Sequence, residues 1–514
     1  MAYQYREAGR ILAAIEQRGG SLKSLVLGNG GWKSDDGGGA RKRKLYALVS
    51  ETLRYKPVME ELVDMAGIRD ELFSAAHVRD KSTGSVLLYD LLLGKGSIQG
   101  GGALKRHFLQ YCDRLQACLV ALKQGKGLEP GASNEALLPQ DSRRVTFPRY
   151  ARVNHIKCAG TDTAAAQLRN EGLEVKVDDI VPSLLVLPAG VELHDHAMVK
   201  QGQLVLQDKS SCFSAQALLG SKSANEDLTG DILDACAAPG NKTTHLASLI
   251  TELHATGSST RPTSDRCTQS YTWHVFAFDK DEQRLALLRR RVKEAGAHTI
   301  VTPCLQDFLA VDVADARFAN VTAILLDPSC SGSGIVSTAD RLNDSVGSPS
   351  GDGGADRKAR LQRLAAFQLA ALSKALSFPQ VRRVVYSTCS VNQEENEHVV
   401  QQAIQQQPEP APFGLSVCLP HWHRRGLATE GLSPEQSQCM VRTDPWQDST
   451  NGFFVALLER GLAPTSDEVD RTGQAQAAGA EHVASLEKTA TMKKKRKKKN
   501  KKKNMGTGDT MSGE

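Results

Sequence analysis

Two cysteines stand where this chain could do chemistry: Cys330, in Asp327-Pro328-Ser329-Cys330-Ser331-Gly332, and Cys389, in Tyr386-Ser387-Thr388-Cys389-Ser390. Each follows a short apolar run, Ala323 to Leu326 and Val384 to Tyr386. That pattern predicts a thiol at the carboxyl end of a buried parallel strand, the edge at which open α/β sheets bind their ligands. A third segment, Asp231 to Lys242 (DILDACAAPGNK), reads as a strand, a tight glycine turn and the start of a helix. The small residues Cys236, Ala237, Ala238, Pro239 and Gly240 let backbone approach a ligand closely. Asn241 and Lys242 then open a helix whose free amide groups favour a charged or zwitterionic ligand.

Two carboxylates extend this candidate cofactor site. Asp279 closes the next apolar run (VFAFD), where it can accept both hydroxyls of a ribose. Asp307 follows the third (CLQDF), placed to accept from an adenine amino group. The Gly-x-Gly-x-x-Gly fingerprint of dinucleotide sites is absent, so a nucleoside without a pyrophosphate fits better, and S-adenosylmethionine is such a ligand. Singly these signals are weak, because buried cysteines are common packing residues and acids after strands are usually solvated. Their order along the chain is what carries the reading. Cys236 and Cys304 lack a comparable context and are read as packing residues, with Cys236 offering at most its backbone.

The elements that must position these residues follow from the apolar pattern. From residue 231, strand-like runs at Asp231 to Cys236, Trp273 to Asp279, Thr299 to Cys304, Val321 to Asp327, Val381 to Cys389 and Gly452 to Leu458 alternate with helical stretches, which predicts a doubly wound parallel sheet. Before it, residues 1–125 repeat apolar side chains at helical spacing (Leu45, Val49, Leu53; Val86, Leu87, Leu91), and residues 126–220 contain short strands such as Tyr150 to Val153 and Leu184 to Leu187. The sheet domain is assigned to 221–460 and a tail to 461–514. Gly28 to Gly39 and Gly94 to Gly102 read as loops, the latter not a phosphate loop because the Gly-x4-Gly-Lys-Ser/Thr spacing is missing. Thr256 to Ser270 and Asn343 to Arg357 read as exposed insertions of little order.

Composition narrows the class. A 514-residue chain with 40% hydrophobic and 24% charged residues has the balance of a globular protein. Its +6 net charge comes from residues 493–503, which hold ten Lys or Arg and no acid. That run reads as a nuclear or nucleolar address, a nonspecific RNA-binding arm or a plain solvated tail. Eleven cysteines with no Cys-x-x-Cys pair argue against a disulfide framework and a structural zinc, and imply a reducing compartment. No secretory leader and no span of the roughly 20 apolar residues that cross a bilayer is present in the sequence, so no membrane is expected. His421-Trp422-His423 has no further ligand at useful spacing, so no metal is assigned.

Together, Pro148 to Asn154 (PRYARVN), Gln207 to Ser211 (QDKSS), the DACAAPGNK turn, Asp279, the DPSCSG and STCS motifs and Gly452-Phe453-Phe454 resemble the Sun-domain RNA cytosine-5 methyltransferases, which are similar to bacterial rRNA methyltransferases of the Fmu type. The amino-terminal segments (LVLGN, LYALVSETLRY, VLLYDLLLGKG) resemble the fifth member of that family, an enzyme of large-subunit rRNA. The resemblance implies an α/β fold: a Rossmann-like class I methyltransferase sheet with an N-terminal helical domain and a small α/β RNA-recognition module. It implies S-adenosylmethionine as methyl donor, large-subunit rRNA or a pre-ribosome as partner, and the nucleus and nucleolus as location. Cys389 is by this resemblance the nucleophile that adds to carbon 6 of cytosine, and Cys330 assists release of the methylated base. Asp327 serves ring nitrogen N3, a task that favours a raised pKa. Lys242 and Arg284 lie near the cofactor's carboxylate or ribose, and Arg149, Arg152 and Asn154 form an RNA-contacting strand, with solvated surface charge as the competing reading. Asn451 replaces the family's usual acid before Gly452, which touches a local cap rather than the chemistry. A tRNA or other RNA target with the same chemistry stays open, as does a noncatalytic RNA-binding assembly factor. A DNA cytosine-5 enzyme is disfavoured, since that family places its nucleophile in a Pro-Cys motif.

Overall fold

The computed structural model describes residues 3–18, 22–27, 38–74, 78, 80–138, 146–220, 230–255, 273–335, 353–408 and 412–461. Most of the Gly28 to Gly39 loop, the Thr256 to Ser270 insertion, residues 343–352 and the lysine-rich stretch lie outside them. Residues 353–357, expected to close the second insertion as loop, instead begin the helix Gly353–Leu376.

Twelve strands occur among the described residues: β1 (Arg149–Val153), β2 (Lys176–Val177), β3 (Leu184–Leu187), β4 (Leu204–Leu206), β5 (Asp231–Asp234), β6 (Val275–Asp279), β7 (Val301–Leu305), β8 (Val321–Leu326), β9 (Arg383–Thr388), β10 (Phe413–Ser416), β11 (Val441–Thr443) and β12 (Phe453–Arg460). The main sheet runs β7-β6-β5-β8-β9-β12-β10, with β11 also on β12. Its centre reads as continuous apolar runs because both faces are covered. On β8, Ala323 and Leu325 join the core formed with helices Lys209–Leu219, Asn241–Ala255 and Glu282–Ala295, while Ile324 and Leu326 join the opposite core beneath Gly353–Leu376.

The five strands from β7 to β9 are parallel, as expected. β12 is not: it runs antiparallel to β9, with Phe454 opposite Thr388 and Glu459 opposite Arg383, and β10 and β11 run antiparallel to it. The expectation of a parallel sheet through the last strand is therefore corrected. An apolar run such as FFVALL reports burial on both faces but carries no direction.

The amino-terminal helices enclose their own core, which runs from Tyr5 to Leu138, past the expected boundary at 125. The first helix is pinned by the Tyr5 hydroxyl, which donates to Asp90 Oδ2 at 2.5 Å. Gly94 to Gly102 forms a loop in which Gly96, Gly100 and Gly102 take positive φ. A second, antiparallel sheet, β2-β3-β1-β4, packs with helix Thr161–Asn170 around Ala151, Val153, Leu168 and Leu185. The helix Lys209–Leu219, assigned on sequence to this module, instead buries Cys212, Phe213, Ala215 and Leu218 in the main core.

Two residues expected to contact RNA hold the module onto the main domain. Arg152 is 0% exposed; its Nε donates to Gln207 Oε1 at 2.9 Å and its Nη2 to Thr244 Oγ1 at 3.2 Å. Burial pushes its pKa down to about 10. Asn154 Nδ2 donates to Gly202 O at 2.8 Å and to Ala295 O at 2.9 Å. The RNA-contact assignments of Arg152 and Asn154 are corrected: charge and amide on a strand read as surface, but these face inward, Arg152 onto Gln207 and Thr244 and Asn154 onto the carbonyls of Gly202 and Ala295. Arg149 stays partly exposed, 3.6 Å from Glu192 and donating through Nε to Val191 O at 3.0 Å. Asn154→Ala strands two carbonyls, the buried Ala295 O and the half-buried Gly202 O, so urea unfolding should register a loss of about 2 kcal/mol. A midpoint equal to wild type would contradict this seam.

Candidate active site

β8 and β9 are parallel neighbours, with Leu326 opposite Tyr386, so the loops that follow them emerge side by side. This brings together two thiols 59 residues apart in the chain: Cys330 Sγ and Cys389 Sγ lie 3.2 Å apart. The pair is asymmetric. The hydrogen bond with Cys330 lowers the pKa of Cys389, and nearby Lys242 adds to this, against burial and Asp327. The same hydrogen bond, with burial, raises Cys330 well above the ordinary thiol range. Either sulfur can donate across the 3.2 Å contact, and the asymmetry of their surroundings favours the thiolate on Cys389 and the S–H on Cys330.

Backbone stitches keep the three motif segments in place. Gly334 N donates to Cys389 O at 2.9 Å and Gly452 N to Gly334 O at 2.8 Å. A Cβ on Gly334 would come 2.1 Å from Gly452 O, so the close approach requires glycine there. Asn451 takes part through its backbone, its carbonyl accepting from Thr443 Oγ1 at 2.6 Å. Asp208 caps the helix Lys209–Leu219 and accepts from Thr450 Oγ1 at 2.6 Å, which gives the QDKSS segment a structural task.

Asp327 ends β8 with both oxygens engaged. Lys242 Nζ donates to Oδ2 at 2.7 Å and Ser387 Oγ to Oδ1 at 2.8 Å; Ser214 Oγ donates to Ser387 Oγ at 2.9 Å. Burial opposes the charge on Lys242, but Asp327 outweighs it, and the ammonium is held above its ordinary pKa. The carboxylate is thus an ion-pair partner and a hydrogen-bond acceptor. Phe453 closes this side, its ring centroid 5.2 Å from Lys242 Nζ.

The glycine turn lies beside these groups, with Ala235, Ala237 and Ala238 buried and Pro239 exposed. Gly240 has φ 104°, and a Cβ there would meet Leu288 Cδ1 at 2.8 Å, so the turn accepts no side chain at this point. Asn241 starts the helix, and its Oδ1 accepts from Arg291 Nη1 at 2.5 Å. Arg284 Nη2 donates to Ala238 O at 2.8 Å while its Nη1 lies 3.4 Å from Asp279 Oδ2, bracing the turn against the end of β6. Asp307, after β7, accepts from Leu309 N and keeps its side chain partly exposed. A turn with small side chains, a helix start and carboxylates at the ends of β6, β7 and β8 suits a zwitterionic nucleoside in charge and donor set. Burial pushes Cys236 up to about 12, in keeping with a packing role. Asp234, wholly buried, is likewise pushed up to about 7 and accepts from Thr243 Oγ1 at 2.7 Å.

Cys330, Cys389, Asp327 and Lys242 therefore converge, the turn, Asp279, Arg284 and Asp307 line the adjoining strand ends, and Arg149, Arg152 and Asn154 lie on β1 and just after it, with Arg152 reaching Thr244 behind the turn. Sequence reading missed Ser387, Ser214 and a buried carboxylate, Glu395, behind both cysteine loops. The polar run Asn392 to Asn396 directly after STCS was the available signal. Trp422 Nε1 donates to Arg442 O, and His423 lies 3.0 Å from Asp448. Among the described residues no group of three or more His, Cys, Asp or Glu is placed to hold a metal, and no helix is long and apolar enough to cross a membrane.

Comparison with known proteins shows the family of the chain. Residues 43–133 match the family described as NOL1/NOP2/Sun domain family member 5, N-terminal domain, and residues 260–459 match 16S rRNA methyltransferase RsmB/F. The chain is 37% identical over 493 residues to the 28S rRNA (cytosine-C(5))-methyltransferase of Mus musculus, covering 91% of this chain and 94% of that one. It is 36% identical over 463 residues to the 25S rRNA (cytosine-C(5))-methyltransferase rcm1 of Schizosaccharomyces pombe, covering 88% and 90%. Among solved structures, that of PH0851 shares the fold with a TM-score of 0.55 at 18% identity, covering 90% of this chain and 100% of that one. At this identity and coverage, the chain belongs to the Sun-domain family of RNA cytosine-5 methyltransferases, alongside its fifth-member enzymes.

Proposed function

We propose that this enzyme methylates carbon 5 of a cytosine in large-subunit rRNA, with S-adenosylmethionine as donor and Cys389 as covalent nucleophile. The observation that carries the reading is the 3.2 Å thiol pair beside the Lys242–Asp327 ion pair, all at the carboxyl ends of β8 and β9 and next to the glycine turn. The full-length similarity to large-subunit rRNA enzymes supports the substrate class. S-adenosylmethionine, when bound, supplies an electrophilic sulfonium methyl. The turn from Cys236 to Lys242, with Asp279 for the ribose, Asp307 for the adenine amino group and Arg284 as brace, is the set that would hold it.

Carbon 5 of cytosine is a poor nucleophile. Addition of Cys389 Sγ to carbon 6 forms the carbon–sulfur bond and sends ring electrons toward N3, making carbon 5 an enamine carbon that can take the methyl. Asp327 is assigned to N3, with Lys242 the source of the proton that passes there as charge builds. After transfer, Cys330 as thiolate takes the carbon 5 proton, the carbon–sulfur bond breaks with its electron pair returning to Cys389, and the N3 proton goes back to Lys242, which releases the methylated base. The work takes place on an unstacked base, so the substrate cytosine lies in accessible RNA. We infer a nuclear, nucleolar setting from the rRNA substrate and the lysine-rich run.

Bisulfite sequencing of large-subunit rRNA from cells lacking the protein tests this directly. One cytosine should lose its methyl mark and regain it with the wild-type gene. Unchanged rRNA would sink the assignment, and the same sequencing on tRNA would identify the competing target.

A further inference from the structure

We propose that Glu395 is a positioning residue for the two thiols: its single buried carboxylate ties the Cys330 loop to the Cys389 loop and so sets the distance at which one sulfur donates to the other. The proposal rests on the assignment of Cys389 as nucleophile. Glu395 is 0% exposed, and among the described residues no Lys or Arg pairs with it. Its Oε1 accepts from Ser331 N at 2.8 Å and Gln368 Nε2 at 3.0 Å; its Oε2 accepts from Ser390 Oγ at 2.5 Å and Asn392 Nδ2 at 3.2 Å. Four donors fill the roughly four lone-pair sites of a carboxylate. Burial alone would raise its pKa, but the bonds from Ser331, Ser390 and Gln368 outweigh it, and the group stays ionised.

The geometry of the donors is what gives this carboxylate its role. Ser331 directly follows Cys330, and Ser390 directly follows Cys389. Gln368 Nε2 also donates to Ser329 O at 3.0 Å, so both neighbours of Cys330 are held by one assembly. On the other loop, Asn396 Oδ1 accepts from Thr388 Oγ1 at 2.5 Å and its Nδ2 donates to Ser390 O at 3.0 Å, bracketing Cys389. The Glu395 carbonyl accepts from the Tyr386 hydroxyl at 2.5 Å, fixing the clamp to β9. The negative charge of Glu395 can only disfavour a thiolate on Cys389, by repulsion. Any benefit of Glu395 to Cys389 must therefore come through geometry, which separates the two effects by sign.

The groups facing Cys389 are Cys330 from the neighbouring loop, Asp327 from the end of β8 and Lys242 from its helix. The experiment uses the full-length protein and measures iodoacetamide alkylation of Cys389 by peptide mass spectrometry across the thiol titration range, beside methyl-transfer kinetics. Glu395→Gln keeps the size but offers one acceptor oxygen where two stood. The alkylation midpoint should move upward by about one pH unit, about a tenfold slower reaction at neutral pH. In parallel kcat should fall about 10- to 100-fold at nearly constant KM, and Glu395→Asp should recover part of both. A midpoint that stays put or moves downward overturns the proposal, because that is what removal of charge alone produces. If Glu395→Gln does not fold, Ser390→Ala, which cuts only the tie to the Cys389 loop, is read in the same way: an upward shift supports the clamp and an unchanged midpoint overturns it. Failure of the nucleophile assignment looks different, since Cys389→Ala would then still transfer methyl groups.

Discussion

Cys389→Ala is expected to lower methyl transfer by at least about 10⁴-fold, the scale on which removing an activated nucleophile acts, while the melting temperature stays near that of wild type. Without the sulfur there is no addition to carbon 6, and the ring never gains the electron density that carbon 5 needs. The remaining site still has the turn, Asp279 and the Lys242–Asp327 pair, so donor binding should persist. Cys389→Ser should not rescue, because a hydroxyl is far harder to ionise than a thiol already held below its ordinary pKa by Cys330. Incorporation of radiolabelled methyl into large-subunit rRNA measures this. A rate within about tenfold of wild type would reject covalent catalysis by this residue.

Cys330→Ala should have a different signature: accumulation of a covalent protein–RNA adduct that survives a denaturing gel. In the free enzyme the hydrogen bond with Cys389 is the largest cause holding the Cys330 pKa up. Once Cys389 is bonded to carbon 6 it is a thioether with no charge to share, so that hold on Cys330 is lifted. Cys330 can then give up its own proton to solvent, and the resulting thiolate takes the proton that must leave carbon 5 for the base to be released. The alanine variant lacks that acceptor and stalls there. It also lacks the S–H that lowers the Cys389 pKa, so adduct formation should need higher pH than the wild-type reaction. The sign follows from the cause: with the donor gone, the folded pKa of Cys389 rises and thiolate is lost on its acid side. A clean gel at every pH would count against a release role.

The strand ends carrying the site were legible because a strand covered on both faces must be apolar throughout, and the polar residue that ends such a run marks where the chain leaves the sheet. Asp279, Asp327, Cys330 and Cys389 were placed in this way. Direction was not legible, since β12 presents the same apolar run whichever way it lies. Arg152 and Asn154 were misplaced because polar residues on a strand suggest solvent until their partners are known, and Gln207, Gly202, Thr244 and Ala295 are remote in the chain. Glu395 escaped for the same reason. Its four donors come from three separate segments, and only the sheet brings them within reach.

The antiparallel β12 also has a meaning for synthesis. It is paired residue by residue with β9 from Phe454 to Glu459 and separates β9 from β10. Until the ribosome has delivered it, β9, the strand that leads into Cys389, is an open edge with unpaired backbone groups, a surface prone to join other chains. The catalytic half of the molecule therefore closes only after translation has passed residue 460, and a premature stop before Phe453 yields an aggregation hazard rather than a weak enzyme.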